Sequence, residues 1–298
     1  LIRLLMDIEK VNFIGYSYGT ELAATYLALF PETVGRFVLD GAVDPTIDAR
    51  QATINQLQGF DRAFDNYLSD CIENDCPLGE DLDSAKQTVG SLFDSISQNP
   101  IEVGDRELTS SGLVTAIIAA LYQQQAWSIL SDGFADLLEG DGDRMMFLAD
   151  FYNERESNGT YRGNLIDANI AINCADSRLS SDEEDVSELN QELINLSEVF
   201  GESWQEGHLM CAQWPGAPPS DILDFKVATN ATPLVIGTTG DPATPYPQAQ
   251  SLSQILDGAV LVTYEGEGHT IFGQGVDCID GQINDYLVDG SVPQKLVC

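Results

Sequence analysis

The string Gly15-Tyr16-Ser17-Tyr18-Gly19, set between an apolar run and a helical pattern, restricts the fold of this chain more than any other feature. Val11–Ile14 has the composition of a short buried strand, and Thr20–Phe30 reads as a helix stopped by Pro31. A serine at a sharp strand-to-helix corner is pushed out above a sheet, and glycines on either side remove Cβ atoms that would clash there. The pentapeptide alone is a weak signal; the strand before it and the helix after it give it weight. Arg36–Leu39 reads as the next strand and runs into the loop signal Asp40-Gly41-Ala42-Val43-Asp44-Pro45. Strand, helix, strand in this order implies parallel strands joined by right-handed crossovers.

The same order returns at the far end. Thr232–Gly237 and Ala259–Tyr264 read as buried strands, Pro247–Leu256 and Asp280–Leu287 as helices, with turn-rich loops at 238–245 and 265–270. Between these blocks helical patterns dominate and strand signals nearly vanish. The expected organisation is α/β: a sheet domain formed by residues 1–45 and 228–298, interrupted by a helical lid at 46–227. Leu113–Tyr122 reads as a buried helix. Within the insertion, Ser181 is expected to cap a helix, with Glu184 completing a capping box. Val186, Leu189, Leu193, Leu196 and Phe200 follow on one face. Residues 181–206 hold nine Asp/Glu and no Lys or Arg, so the other face is expected to be solvated. Leu1 to Glu9 reads as the end of an amphipathic helix, with Leu1, Leu4, Leu5 and Ile8 on one side. A chain that opens in this way is expected to be a fragment lacking N-terminal strands. Alone it would expose the edge of the Val11–Ile14 strand and be inactive or aggregate.

The chemistry follows from Ser17. A serine hydroxyl is a poor nucleophile unless a base stands beside it. The following helix aims its first backbone N–H groups at the same point, and that of Tyr18 is the expected first oxyanion donor. The second donor would come from a loop upstream of Leu1. The chain has two histidines. His269 follows a strand in Gly266-Glu267-Gly268-His269-Thr270 and is the expected base; His208, inside the insertion, reads as structural or exposed. The acid should lie between serine and histidine in sequence. Asp241, in Gly240-Asp241-Pro242-Ala243-Thr244-Pro245, is the choice, with Asp44 as runner-up. It would accept the Nδ1–H of His269, fix its tautomer and stabilise the imidazolium.

Charge and cysteine content limit the partners. With 13 Lys+Arg against 48 Asp+Glu the net charge is −35, which repels nucleic acid and anionic lipid. Such a surface reads as a solubility or salt adaptation, the alternative being attraction of cationic substrates such as peptides with a free amino terminus. No apolar run is long enough to span a membrane. The six cysteines lack paired C-x-x-C zinc spacing, and no metal or organic cofactor is expected. Their even number points to three disulfides and an oxidising compartment, against the alternative of six buried thiols. Local closure favours Cys71–Cys76 and Cys278–Cys298, which leaves Cys174–Cys211. The sequons at Asn158, Asn195 and Asn230 are read as incidental.

With these residues in hand, the chain resembles the secreted tripeptidyl aminopeptidases and their proline-iminopeptidase-like relatives, serine hydrolases of the α/β-hydrolase fold. The resemblance rests on Gly15-Tyr16-Ser17-Tyr18-Gly19-Thr20, Leu39-Asp40-Gly41-Ala42-Val43-Asp44-Pro45, Ala171-Ile172-Asn173-Cys174-Ala175-Asp176, Gly240-Asp241-Pro242-Ala243-Thr244-Pro245 and Gly268-His269-Thr270. The stretch from Cys278 to Cys298 resembles the family's C-terminal region. The resemblance implies the order Ser17, Asp241, His269, export to the cell envelope or beyond, and disulfides including Cys174–Cys211. It also implies release of short peptides from a free N-terminus, with a lid walling off the cleft. A buried ammonium needs a carboxylate, and Asp176, next to Cys174, is the candidate to receive the substrate's α-amine.

Overall fold

The structure is a computed structural model and describes residues 2–176, 180–205, 211, 214–215 and 223–298. It contains two compact units, Leu1–Ile47 with Asp221–Cys298, and Asp48–Ser220.

The first unit is built on a parallel sheet of four strands, β1 (Val11–Tyr16), β2 (Val34–Asp40), β5 (Leu234–Gly240) and β6 (Val260–Glu267), in the order β1-β2-β5-β6. Side chains alternate across the pleat. Phe37, Leu39 and Val235 face one way and meet Ala23, Ala24 and Leu27 of the Tyr18–Leu29 helix and Ala249 and Leu252 of the Tyr246–Ile255 helix. Val38, Leu234, Ile236 and Val262 face the other way and meet Ile279, Ile283 and Tyr286 of the Asp277–Asp289 helix. Because helices cover both faces, the two central strands are apolar at nearly every position rather than at every second one. The strands run beyond their apolar runs, β5 to Gly240 and β6 to Glu267, and so carry the site loops further than hydrophobicity alone indicates.

Two devices tie the last helix to the sheet. Arg36 on β2 donates to the carbonyls of Leu287 and Val288 at 2.8 and 2.7 Å, satisfying groups that a helix C-terminus leaves open. Gly290 ends the helix at φ 88°, a left-handed cap that glycine adopts without strain. The chain then returns along β6. Thr263 donates to the carbonyl of Leu296 at 2.8 Å and Cys298 donates to that of Thr263 at 2.9 Å, so this tail lies beside β6 in a single parallel bridge between Thr263 and Val297. A disulfide joins Cys298 to Cys278. At the opposite side of the sheet, β1 pairs with β2 alone among the described strands.

The second unit is mainly helical. Its helices include Ala49–Glu73, Leu82–Gln98, Ser110–Leu121, Trp127–Leu138, Asp143–Tyr152, Leu165–Asp176 and Glu183–Leu196. Phe64, Tyr67, Phe134 and Phe200 are fully buried together, with Phe64 and Phe200 edge to face at 5.7 Å. Disulfides join Cys71 to Cys76 and Cys174 to Cys211. Among the described residues no helix is long and apolar enough to cross a membrane.

Four local expectations need correction. The helix at 183–196 is capped by Asp182, whose carboxylate accepts the N–H groups of Glu184 and Asp185, and not by Ser181 with Glu184. A carboxylate at that position also meets the positive end of the helix dipole, which a serine hydroxyl does not exploit as well. The acidic face of that helix is not only solvated, because Glu192 pairs with Arg50. The N-terminal helix covers Ile2–Leu5 alone; Leu4 and Leu5 are exposed, and Asp7 breaks the pattern at φ 52°. The helical unit also holds an antiparallel hairpin of β3 (Ile101–Val103) and β4 (Arg106–Leu108), turned at Gly104-Asp105.

The Cys278–Cys298 bridge closes a sequence separation of 20 residues. Loop-closure entropy puts the stabilisation from a loop of that size at about 3 kcal/mol. Cys298→Ser should lower the unfolding free energy by that order, read from urea denaturation of the oxidised wild type and the variant.

Candidate active site

Ser17 stands between β1 and the Tyr18–Leu29 helix at φ 54°, ψ −123°. For a residue with a Cβ this conformation costs on the order of 1–3 kcal/mol and persists only when its surroundings enforce it. Here they do. The N–H of Ser17 donates to the carbonyl of Asp40 at 2.9 Å. The carbonyl of Ser17 accepts the N–H and the hydroxyl of Thr20 at 2.9 and 2.6 Å. Thr20 Oγ1 in turn accepts the N–H of Val43 at 2.9 Å, joining the elbow to the loop after β2. The two flanking glycines are not equivalent. A Cβ on Gly15 would fall 2.7 Å from the carbonyl carbon of Gly19, whereas a Cβ on Gly19 would meet nothing within 4 Å. The expectation that both glycines relieve a clash therefore holds only for Gly15, which lies beneath the turn. Tyr18 is the first residue of the helix, so its N–H lies at the positive end of the helix dipole.

His269 follows β6 and is buried. Its Nδ1 lies 3.0 and 2.9 Å from Oδ1 and Oδ2 of Asp241, the residue directly after β5. Asp241 is fully buried, and its own loop supplies three donors. The N–H groups of Ala243 and Thr244 donate to Oδ1 at 2.9 and 2.8 Å, and the Thr244 hydroxyl donates to Oδ2 at 3.0 Å. Thr244 Oγ1 also lies 3.3 Å from His269 Nδ1, so one hydroxyl touches both partners. Sequence reading missed Thr244. The available signal was a hydroxyl residue three places after an aspartate in a turn, a spacing at which the side chain closes back on the acid.

Asp44, the runner-up acid, has a different environment. Its Oδ1 accepts the N–H and hydroxyl of Thr46 at 2.9 and 2.6 Å, a local turn within its own loop. His208 lies outside the described residues. Asp176 ends the Leu165–Asp176 helix in the second unit, exposed, two places after the buried Cys174. Among the described residues no cluster of His, Cys, Asp or Glu is arranged to hold a metal ion.

Gly41 relates the imidazole to the elbow. It has φ 65°, and a Cβ added there would fall 3.0 Å from His269 Cε1 and 2.9 Å from Thr270 Cγ2. The imidazole therefore stands over Gly41, and the residue before Gly41 is the one whose carbonyl holds Ser17. A carboxylate, an imidazole and a strained serine lie at the C-terminal ends of parallel strands, the edge of such sheets where ligands bind. Chemically, this arrangement can take a proton from a hydroxyl and stabilise the imidazolium that results.

Residues 197–298, which include Asp241 and His269, match the family model described as TAP-like protein. The serine protease Hip1 of Mycobacterium tuberculosis is 36% identical over 98% of this chain and 58% of its own length. Carboxylesterase B of the same organism is 34% identical over 90% of this chain and 52% of its own. The C-terminal third of the chain is TAP-like, and its parallel sheet flanked by helices is an α/β-hydrolase fold. A more distant relative, the tripeptidyl aminopeptidase of Streptomyces lividans, is 27% identical over 97% of this chain and 54% of its own length. The chain thus spans little more than half the length of the curated relatives it matches.

If the imidazole needs the space above Gly41, Gly41→Ala should leave a folded protein with a displaced His269. A misplacement of about 1 Å costs on the order of 10²-fold in rate, and a loss of that size is expected in the labelling rate of Ser17 by a fluorophosphonate.

Proposed function

We propose that this chain carries the catalytic machinery of a serine exopeptidase that releases di- or tripeptides from substrates with a free N-terminus. The observation that carries the reading is the 2.9 Å contact between His269 Nδ1 and Asp241, with the imidazole over Gly41 beside the Ser17 elbow. In this scheme Ser17 Oγ attacks the carbonyl carbon of the scissile bond while His269 Nε2 takes its proton. The oxyanion that forms meets the N–H of Tyr18. As the tetrahedral intermediate collapses, the C–N bond breaks and the imidazolium gives its proton to the departing amine, leaving an acyl ester on Ser17. Water then adds to that ester by the same proton transfers in the same order, and the short peptide leaves with a new carboxylate. Asp241 accepts the Nδ1–H of His269 and so fixes which nitrogen of the imidazole faces Ser17.

The substrate class is the finer part of the proposal. The acidic balance, −35 overall, favours a cationic ligand end, and tripeptidyl aminopeptidases are among the relatives. In this reading the helical unit acts as a lid and Asp176 receives the α-amine. Three disulfides support an oxidising location, at the cell envelope or outside it. The second reading, a carboxylesterase using the same three residues, is favoured by the similarity to carboxylesterase B.

Three measurements test these statements in the natural full-length polypeptide. Loss of the acid costs on the order of 10⁴ in kcat, so Asp241→Asn should retain only traces of activity; a near-normal rate would move the role to Asp44. A tripeptide anilide with a free amine should be cleaved with far higher kcat/KM than its N-blocked form, and equal values would favour the esterase. Asp176→Asn should erase that preference; a variant that still discriminates would remove Asp176 from the scheme.

A further inference from the structure

The carboxyl group of Asp40 is not used by the mechanism above, yet it lies at the centre of the site. Asp40 is the last residue of β2 and is fully buried. Its main-chain carbonyl holds the N–H of Ser17 at 2.9 Å. Its side-chain Oδ2 accepts the N–H groups of Ile271 and Phe272 at 2.8 and 2.7 Å, two and three residues after His269. One residue thus grips the elbow with its backbone and the histidine loop with its carboxyl. A second tie crosses the same gap, because Tyr16, directly before Ser17, donates its hydroxyl to the carbonyl of Phe272 at 3.2 Å. The far end of the loop is held separately by Asp280, which accepts the N–H groups of Gly273 and Gly275 at 2.7 and 3.0 Å. Thr270, between the imidazole and the residues that Asp40 grips, has φ 62°, so this stretch of backbone is kept out of its relaxed conformation.

We propose that Asp40 is a positioning residue, setting the distance and angle between Ser17 and His269 by clamping the loop that carries the base to the elbow that carries the nucleophile.

Fold stability gives a poor account of this residue. Burial pushes its carboxyl up to about 6, against the lowering pull of the Phe272 and Ile271 N–H groups and of His269, with the nearby Asp241 adding to the rise. Its Oδ1 has no hydrogen-bond partner among the described residues. A buried carboxyl with half of its acceptors unused is a cost to the fold that a well-packed apolar residue would avoid. What an apolar residue could not do is accept two adjacent N–H groups of the histidine loop.

The proposal rests on Ser17 and His269 being nucleophile and base, and the test separates the two claims. Asp40→Ala and Asp40→Asn are made in the natural full-length polypeptide. The readouts are kcat and KM on a nitrophenyl ester, the rate at which a fluorophosphonate labels Ser17, and the fraction of protein finally labelled. Asp40→Ala should lose about 10²-fold in kcat and labelling rate, the scale of a misplaced catalytic group, with KM nearly unchanged and all of the protein eventually labelled. Asp40→Asn keeps a carbonyl oxygen for both N–H groups and should recover most of the rate. Wild-type labelling rates in Asp40→Ala, a loss confined to the labelled fraction, or no recovery in Asp40→Asn would each overturn the positioning role. If Asp40→Ala does not fold, Tyr16→Phe carries the test, since it removes the second tie from a partly exposed side chain. It should slow labelling severalfold at unchanged KM, and an unchanged rate would overturn the clamp. Wild-type protein that resists labelling at Ser17 would instead sink the underlying reading.

Discussion

The site depends on the register of a parallel sheet. Tyr16 is paired with Asp40, Asp40 with Ile236 and Ile236 with Val262, so neighbouring strands reach the same edge together. Ser17 and Gly41 are the next residues on their strands, and Asp241 follows the end of β5. Parallel pairing sends every C-terminal end to one side. Residues 17, 241 and 269 are remote in sequence, but they leave the sheet along one edge. A slip of one residue in any pairing would turn that strand's buried side chains to its other face. The apolar contacts on both sides of β2 and β5 thus protect the register, and through it the alignment of the site.

The site also gathers features that are costly to a fold. Ser17 and Thr270 have positive φ, and Asp40 and Asp241 are fully buried carboxyl residues. Each is unfavourable when considered alone. They persist because short loops close on them: three donors within residues 243–244 for Asp241, and two N–H groups of the histidine loop for Asp40. The sheet supplies rigid ends, and the loops between those ends supply the chemistry.

How much of this could be read from the sequence varied with the range of the interaction. The central strands β2 and β5 were visible because burial on both faces leaves runs such as Leu234–Gly237 almost without polar residues, whereas β1, read as a buried strand, alternates half-buried and exposed residues, with Ile14 exposed. The ends of β5 and β6 were not visible, since Thr239 and Glu267 lie within the strands while carrying polar side chains. The β3–β4 hairpin was missed although Gly104-Asp105 is a turn signal, because strands of three residues are too short to show alternation. Ser181 lost the cap to the adjacent Asp182, a choice between neighbours that spacing alone does not make. The N-terminal pattern suggested a longer helix because periodicity reports which face would be buried, not whether a surface exists to bury it. At the candidate site, Ser17, Asp241 and His269 were named from strand-and-turn context, chain order and the presence of only two histidines. Thr244 and Asp40 were not, because what they contact is set by folding: the imidazole in one case, and a loop 231 positions away in the other.

The tail beside β6 has a wider consequence. An uncovered strand edge is a template on which another chain can pair. Here the edge of β6 at Thr263 is occupied by the molecule's own residues 296–298 and locked by a covalent bond to Cys278. The covalent bond to Cys278 thus does a second job, keeping residues 296–298 in the place where a strand of another molecule would pair.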